Sequence, residues 1–574
     1  MVREDEPRLL AEAGLLGVFG ALAAQLFTWL LRVSGHVFLG WIAGYQPPGL
    51  SEDGGVLREV IGPHGLWLIP VATTIGGVIS GILVYTLAPE AEGHGTDAAV
   101  AAFHRAGGFI RSRVPPVKML ASAITIGSGG AAGREGPIAL ISAGIGSVYS
   151  TLVHKSEEQR RLLMLAGMAA GLSAIFRTPM GTGVFAIEVL YGSMEFEVDA
   201  LLYTMLASAV AYAVNGLFVG WQPLFQMSEA PAPQIHDYAA YILLGVAAGL
   251  VGTCLPEVFY RVRDGFRALP LPQWVKPGIG GLGIGLIALK LPQVLGGGYG
   301  WIQEAIDGRL ALRLLLILMF AKIVAFALTV SSGGSGGVFA PSLFVGAMLG
   351  GTFATVFHQP AAILVIVGMA AVFGAAARVP IATMLMVTEM AGGYKLLVPA
   401  GLAVMISYLL QVRLSSYVKY RSLYEAQVPR REHSPAHYLD HVRVALTLLG
   451  RRDVAIGDKS GSSIGHVDLL KLLRSKIRLD LPGGKQLEMG VLQSGSKFVG
   501  KPIQALYADR GADDFEVVAI MRREHVLLPH PDTLLSEGDR LLTIGSAHAH
   551  QALAQDISPL PSPDLSSGSL RKNS

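Results

Sequence analysis

Long stretches without a charged side chain recur along this chain and constrain its fold more than any other feature. Residues 13–31, 66–89, 323–339 and 396–412 contain no Asp, Glu, Lys or Arg. A helix of about 20 apolar residues is needed to cross the hydrocarbon core of a bilayer. Only 15% of the 574 residues are charged, against roughly a quarter in soluble domains. The sequence therefore predicts an integral, multi-pass protein of the lipid bilayer.

Glycine is unusually frequent, at 71 of 574 residues, where about 7% is usual. Many apolar runs are shorter than a full span and end in Gly or Pro, which indicates broken or re-entrant helices around an enclosed cavity. Close helix packing through small residues is the alternative. The net charge is only +3 and no basic run contains interleaved aromatic residues, so no nucleic-acid partner is expected.

Two motifs occur twice at nearly the same spacing. SGGAAGREGP (128–137) aligns with SGGSGGVFAP (332–341), an offset of 204 residues, and GMAAGLSAIFRTP (167–179) aligns with GMAAVFGAAARVP (368–380), an offset of 201 residues. A duplicated chain is expected to build one site where its halves meet near the middle of the membrane. The residues themselves do not show whether the halves are parallel or inverted.

Both copies of the first motif place a Gly-rich turn before an apolar run, which is the pattern of a helix start. Free N–H groups and the positive end of the helix dipole gather there, so two such starts form an anion site without a full positive charge. A third start is predicted at GHGTDAAV (93–100), where Thr96 and Asp97 are candidate N-caps. Glycines that serve helix packing alone are the alternative.

These motifs, in this order, resemble those of the CLC family of chloride channels and chloride/proton exchangers over residues 10–427. APEAEGHGTDAAV (88–100), GREGP (133–137) and GGVFAP (336–341) resemble its signature loops, and LPQVLGGGYG (291–300) and RSLYEA (421–426) match further segments. The resemblance implies an all-α polytopic membrane fold of two inverted repeats with broken or re-entrant helices. It also implies a homodimer with a separate anion path in each subunit, bound chloride ions but no cofactor or metal, and no enzymatic activity.

The resemblance further implies a role for each site residue. Glu135 occupies the position of the gating glutamate, whose carboxylate competes with the anion. The implied anion-binding positions are His94, Gly95, Arg134, Gly136, Val338, Phe339 and Tyr424. A salt bridge between Glu135 and Arg134 is the structural alternative, although adjacent residues on a helix do not face each other.

His94 departs from the family pattern, which has a serine at the centre of this loop. A neutral imidazole donates one N–H and becomes cationic at mildly acidic pH. We therefore hypothesise that His94 alters the preference among small anions and adds pH sensitivity. Alternatively, its ring points away and backbone amides alone line the inner part of the site.

The choice between a channel and an exchanger depends on one further position. Exchangers of the family usually carry a second glutamate on the cytoplasmic side. Aligning FRTPMGTGVFAIEVLYG (176–192) places Val189 at that position and Glu188 one residue before it. Because valine carries no proton, the sequence favours a passive chloride channel gated by Glu135, with a chloride/proton antiporter as the alternative. A broken-helix symporter or a polytopic enzyme is a weaker alternative, since helix starts repel cations and no HExxH motif occurs.

The composition becomes charged and Pro-containing after the transmembrane domain, which we assign to residues 1–427. We predict a cytoplasmic linker with helices at 428–485, a small α+β domain at 486–550 and a disordered tail at 551–574. The linker helices are expected at 438–450 and 466–480. Arg421, Arg430 and Arg431 follow the last span and favour a cytoplasmic C-terminus. We expect both termini in the cytoplasm of a prokaryotic cell, with the protein in its inner or plasma membrane.

The predicted α+β domain resembles the RCK-C (TrkA-C) domain of potassium-conductance regulators. The matching segments are VGKPIQAL, VVAIMRR, LLPHPDTLLSEGD and LLTIGS, all within residues 495–546. The resemblance implies a dimerising module that senses a small-molecule ligand. We hypothesise a regulatory or dimer-stabilising role, with a passive assembly domain as the alternative.

Overall fold

The computed structural model forms two compact units, Met1–Arg431 and Glu432–Ser574, which we call the transmembrane unit and the C-terminal unit. The described residues are 6–50, 57–227, 234–431, 434, 436, 479–481, 485–493, 495–510, 515–522, 525–527, 529, 532–546, 550 and 557–559. The helix predicted at 438–450 lies outside these residues.

The first half of the transmembrane unit is a series of helices of unequal length. They are α1 (Glu6–Gly35), α2 (Ile69–Leu87), α3 (Thr96–Arg105), α4 (Val114–Gly127), α5 (Glu135–Leu152), α6 (Glu157–Phe176), α7 (Pro179–Glu188) and α8 (Val198–Val219). A π-helical segment, His36–Ile42, extends α1. The antiparallel pair β1 (Tyr45–Gln46) and β2 (Val60–Ile61) lies between α1 and α2 in the chain.

The second half repeats this series in the same order. Its helices are α9 (Tyr238–Ala268), α10 (Lys276–Ala288), α11 (Tyr299–Ile306), α12 (Leu312–Ser331), α13 (Phe339–Phe357), α14 (Ala361–Ala377), α15 (Pro380–Met390) and α16 (Leu397–Leu414). The duplication therefore extends well beyond the two motifs. Even the short helices α3 and α11 correspond, and each follows a glycine N-cap with positive φ, Gly95 and Gly298.

Two predictions drawn from composition are confirmed, namely that the chain is a multi-pass membrane protein and that some of its helices are broken or re-entrant. Seven helices among the described residues are long and apolar enough to cross a membrane, and other apolar helices such as α4 and α15 are too short to do so. The alternative explanation of the glycines also holds in places. A Cβ added to Gly146 of α5 would lie 2.4 Å from the Leu163 carbonyl oxygen, and one added to Gly350 of α13 would lie 2.0 Å from that of Leu364. Glycine thus permits both the breaks and the closest helix contacts.

Contacts between equivalent helices show that the two halves are inverted. The Glu188 carboxylate, at the end of α7, accepts hydrogen bonds from the N–H groups of Ile381 and Ala382 at 3.1 and 2.6 Å. These amides open α15, and Glu389 near the end of α15 binds the first amides of α7 in the same way. The end of each helix lies against the start of the other, so the equivalent helices are antiparallel.

The C-terminal unit is a small α+β domain, as predicted. Its strands are β3 (Leu479–Leu481), β4 (Lys485–Leu492), β5 (Phe515–Arg522), β6 (His525–Leu527), β7 (Arg540–Ser546) and β8 (Ile557–Pro559), with α17 (Ile503–Arg510) between β4 and β5. The strands form an antiparallel sheet in the order β3-β4-β7-β5-β6, and β8 also pairs with β4. Phe498, Ile503 and Leu506 pack against strand residues such as Val517 and Leu541 to form its core.

The boundaries of these segments differ from the predicted ones. Strand β3 begins at Leu479, so the helix predicted at 466–480 is wrong at its last two residues, and β8 lies inside the tail predicted to be disordered. Both strands have three residues and pair with the same edge of β4. Such short strands depend on tertiary pairing more than on local propensity, so they leave little trace in the sequence. The predicted linker also starts too early, since Val428 pairs with Tyr191 in the transmembrane unit.

Candidate functional site

The two copies of the first duplicated motif meet directly. The Gly133 N–H donates to the Gly337 carbonyl oxygen at 2.8 Å, and the Gly337 N–H donates to the Gly133 oxygen at 2.7 Å. Helix α5 begins two residues after Gly133, and α13 begins two residues after Gly337. A Cβ added to Gly337 would lie 2.7 Å from the Gly136 nitrogen, so this contact requires glycine. Two helix N-termini, with their partial positive charges, are therefore held together.

The predicted third helix start joins the same point. The Gly336 N–H donates to the Gly93 carbonyl oxygen at 3.1 Å. A Cβ added to Gly136 would lie 1.9 Å from the His94 carbonyl oxygen, and one added to Gly95 would lie 2.6 Å from the Gly136 oxygen. The backbone before α3 thus packs directly against the start of α5.

The predicted side-chain cap of α3 is wrong. The N-cap residue is Gly95, and no side chain of the described residues caps the helix. The Asp97 carboxylate accepts a hydrogen bond from the Ala426 N–H at 2.8 Å instead. Asp97 therefore ties the RSLYEA segment, which carries Tyr424, to the start of α3.

Glu135 is the first residue of α5 and is almost fully buried, with 1% of its surface exposed. Its Oε1 accepts a hydrogen bond from the Tyr299 hydroxyl. The backbone amides of Arg134, Glu135 and Ala340 interact favourably with the carboxylate, although Oε2 has no partner of full hydrogen-bond geometry among the described residues. The carboxylate therefore occupies the electropositive region between the starts of α5 and α13, which an anion would also favour.

The interaction between Arg134 and Glu135 is more than an ion pair. Its guanidinium lies over the ring of Tyr299, 5.1 Å from the centroid, and also acts on the Glu135 carboxylate electrostatically. The salt-bridge alternative thus describes only part of the arrangement, because Tyr299 contacts both side chains.

His94 and Tyr424 lie together near the start of α3. Their ring centroids are 5.4 Å apart, and the His94 ring also packs against Phe259 at 6.3 Å. The Thr96 and Tyr424 hydroxyls interact. Among the described residues His94 Nδ1 has no hydrogen-bond partner although it is buried. The imidazole is therefore adjacent to the phenol that the resemblance assigns to anion binding.

Val338 and Phe339 open α13 and are buried. The Phe339 ring packs against Phe176 at 4.5 Å and against Phe373 at 4.2 Å between centroids. These side chains fix the first turn of α13 from its apolar side. Their backbone amides belong to the free N–H groups of the helix start, as the resemblance implies.

Glu188 and Val189 lie elsewhere, at the end of α7. The Glu188 carboxylate binds the two amides that open α15. Val189 is fully buried, and its carbonyl oxygen accepts a hydrogen bond from Gln427 at 3.1 Å. Glu188 thus acts as a cap for α15 rather than as a side chain of the anion site.

Sequence reasoning missed two lysines and one tyrosine. Lys118 and Lys322 are fully buried, are 204 residues apart and donate to carbonyl oxygens of the loops before α3 and α11. Their separation equals the offset of the first duplicated motif, so the sequence repeat could have identified the two lysines. Tyr299 lies within a matched motif, but nothing in its spacing indicates a contact with Glu135. No group of His, Cys, Asp or Glu among the described residues could hold a metal ion.

Comparisons with known proteins agree with this geometry. The family described as voltage gated chloride channel matches residues 76–411, and the TrkA-C domain matches residues 491–557. A putative chloride channel protein, ClcB-like, of Ralstonia nicotianae is 30% identical over 70% of this chain and 92% of its own length. The H(+)/Cl(-) exchange transporter ClcA of Salmonella agona is 29% identical over 69% of this chain and 86% of its own length.

Solved structures show the same fold. A slow cyanobacterial Cl-/H+ antiporter superposes with a TM-score of 0.61 at 21% identity, covering 72% of this chain and 96% of that one. A CLC-type fluoride/proton antiporter superposes with a TM-score of 0.62 at 23% identity, covering 75% of this chain and all of the other. From the duplicated, inverted helices, the meeting of their N-termini at Glu135 and these matches, it follows that the chain belongs to the CLC family of voltage gated chloride channels and carries a C-terminal TrkA-C domain.

Proposed function

We propose that this protein exchanges chloride for protons across a membrane, with Glu135 as the group that binds the proton and competes with the anion. The observation that supports this most is the Glu135 carboxylate between the starts of α5 and α13. The exchange function of the Salmonella relative favours coupled transport. This is the alternative of the sequence analysis, and we prefer it to the passive channel.

The anion would bind where helix N-termini converge. The amides of Val338 and Phe339 and the hydroxyl of Tyr424 are the donors that the resemblance assigns, and none of them brings a full charge. A donor set of this kind stabilises a dehydrated halide without binding it irreversibly. Lys118, buried beneath the loop before α3, donates to the Ala91 and Gly93 carbonyl oxygens and so fixes this loop.

Competition between the anion and the Glu135 carboxylate couples anion movement to proton movement. An ionised carboxylate at the helix starts occupies the place of an anion, because both are stabilised by the same amides. When Glu135 takes up a proton it loses its charge, and an anion can replace it. One group therefore alternates between a bound proton and an ionised, site-filling state, so movement of the anion depends on the proton.

A passive channel is the second candidate, and Val189 favours it. A proton arriving from the cytoplasmic side finds no carboxylate at this position, and the neighbouring Glu188 carboxylate is engaged by α15. In the proposed exchanger the inner proton must therefore reach Glu135 by a route that does not use residue 189. The name of the Ralstonia relative, a putative chloride channel, is compatible with this candidate.

The reversal potential across a bilayer containing the purified protein distinguishes the two candidates. With a fixed chloride gradient, we expect the reversal potential to shift when a pH gradient is imposed, because each proton moved contributes to the balance. A channel would stay at the chloride equilibrium potential at every pH gradient. Absence of any chloride current, in protein that reconstitutes normally, would contradict both.

The imidazole of His94 is expected to influence which anions pass. Its ring lies beside Tyr424 and its Nδ1 lacks a partner among the described residues, so it is available to a nearby anion. We expect His94→Ser to change the permeability ratios of nitrate and bromide to chloride. The matched control is Phe259→Leu, which alters the other ring packed on His94 without removing a polar group. Unchanged ratios in His94→Ser would remove His94 from the site.

A further inference from the structure

Tyr299 makes the side-chain hydrogen bond to the gate. It is the first residue of α11, and its hydroxyl donates to Glu135 Oε1 across 164 residues of sequence. The ring is held from two sides, by the Arg134 guanidinium at 5.1 Å and by the Phe225 ring at 6.1 Å. The orientation of the phenol is therefore fixed, and its hydroxyl contacts the carboxylate in the position that Glu135 occupies here.

Lys322 holds the loop that carries Tyr299. Its Nζ donates to the carbonyl oxygens of Val294 and Gly296 at 2.8 and 2.7 Å, and lies 4.8 Å from the ring centroid of Phe344. The loop then turns at Gly298, where φ is +80° and an added Cβ would lie 2.5 Å from the Phe344 ring. A buried ammonium is costly unless such donors are satisfied, so these two hydrogen bonds fix the loop strongly.

The first half contains the same arrangement before α3. Lys118 donates to the carbonyl oxygens of Ala91 and Gly93 at 2.9 and 2.6 Å, before α3. The first residue of α3 is Thr96, whose hydroxyl meets Tyr424. Each half thus uses a buried lysine to hold the loop before a short helix whose first residue carries a hydroxyl. In the second half this hydroxyl belongs to Tyr299, and it contacts the Glu135 carboxylate directly.

We propose that Tyr299 is a latch that holds the Glu135 carboxylate in the anion site, and that Lys322 is a positioning residue that keeps Tyr299 in place. This rests on the proposed function, in that Glu135 must be the group competing with the anion. A hydroxyl that donates to a carboxylate stabilises its ionised form and contributes much less to the neutral acid. The latch therefore keeps the gate closed until the pH is lower than the carboxylate alone would require.

Several other ionisable groups face this region and stay unchanged in the variants tested. They are Arg134 before α5, His94 and Lys118 around the start of α3, and Tyr424 after α16. Arg134 is a cation that favours the ionised gate whether or not the latch is present. Only the hydroxyl of Tyr299 is removed in the test.

The test is the pH at which chloride flux into liposomes is half-maximal. Tyr299→Phe keeps the ring against Arg134 and Phe225 and deletes the donor, so the half-maximal pH should move upward by about one pH unit or more. Tyr45→Phe is the matched control, since the Tyr45 hydroxyl donates to Glu59 at 2.9 Å rather than to Glu135. A half-maximal pH of Tyr299→Phe equal to that of wild type would overturn the latch.

Lys322 is tested through the same readout. Lys322→Met should shift the half-maximal pH in the same direction, and Lys322→Arg should restore most of it. The double variant with Tyr299→Phe should shift no further than Tyr299→Phe alone. A purely structural lysine would lower the yield of folded protein without moving the half-maximal pH, and that outcome would overturn its positioning role.

The last comparison is made in a variant of Glu135, the gating residue. In a Glu135→Gln background, Tyr299→Phe should have no effect on the pH dependence of flux. A shift that persists there would overturn the latch while leaving the proposed function intact. If wild-type flux does not respond to pH at all, the proposed function fails first, and the two failures are thereby distinguished.

Discussion

Glu135→Gln is expected to conduct chloride without pH dependence and without proton coupling. Glutamine has nearly the shape of glutamate, so it fits the pocket between the starts of α5 and α13, but it is neutral at every pH. It therefore cannot compete as an anion and cannot carry the exchanged proton. Wild-type flux should rise as pH falls, because protonation neutralises the competing carboxylate, whereas flux through the variant should be high and flat. Its reversal potential should follow the chloride gradient alone.

Glu188→Gln is the matched control for this experiment. It makes the same change of charge at another fully buried glutamate, and its amide oxygen can still accept a hydrogen bond from the start of α15. Since Glu188 caps a helix, the control should keep the pH dependence and the proton coupling of the wild type. A Glu135→Gln protein that folds normally but carries no chloride would show that the carboxylate is required for conduction, which contradicts its role as a competitor.

The sequence predicted the centre of this site because duplication leaves a direct signal. Two Gly-rich turns at a constant offset, each before an apolar run, indicated that two helix starts would meet, and Gly133 and Gly337 do pair. The direction of the halves was not predictable from the residues, since an aligned motif has the same letters whether its helix points in or out. That direction became clear only from the capping of α15 by Glu188.

Contacts across long sequence separations explain the rest of what was missed. Asp97 was expected to cap its own helix but binds Ala426 instead, because a tertiary partner was available that local propensity cannot reveal. Tyr299 looked like one aromatic residue in a glycine-rich loop, and its role depends on a carboxylate far away in sequence. Periodicity and spacing describe neighbours along one helix, so side chains that join the two halves fall outside what they can predict.

Glu188→Ala is expected to destabilise the transmembrane unit more than an ordinary surface change. It leaves the N–H groups of Ile381 and Ala382 without their acceptor inside a buried interface between α7 and α15. Each unsatisfied buried donor costs about 1–3 kcal/mol, so the free energy of unfolding should fall by roughly 2–6 kcal/mol in total. Glu389→Ala should behave alike, because Glu389 binds the amides of Met180 and Gly181. The midpoint of thermal unfolding in detergent measures both.

The size of this effect depends on burial, and a matched substitution separates burial from charge. Glu90→Ala removes a glutamate that pairs with Arg111 at the exposed surface, and exposed ion pairs contribute only about 0–1 kcal/mol. Its unfolding midpoint should therefore stay near that of the wild type, while Glu188→Gln should fall between wild type and Glu188→Ala because one acceptor oxygen remains. If Glu188→Ala unfolds at the same temperature as Glu90→Ala, the reciprocal caps do not stabilise the interface between the two inverted halves. The antiparallel pair α7 and α15 would then owe its stability to apolar packing alone.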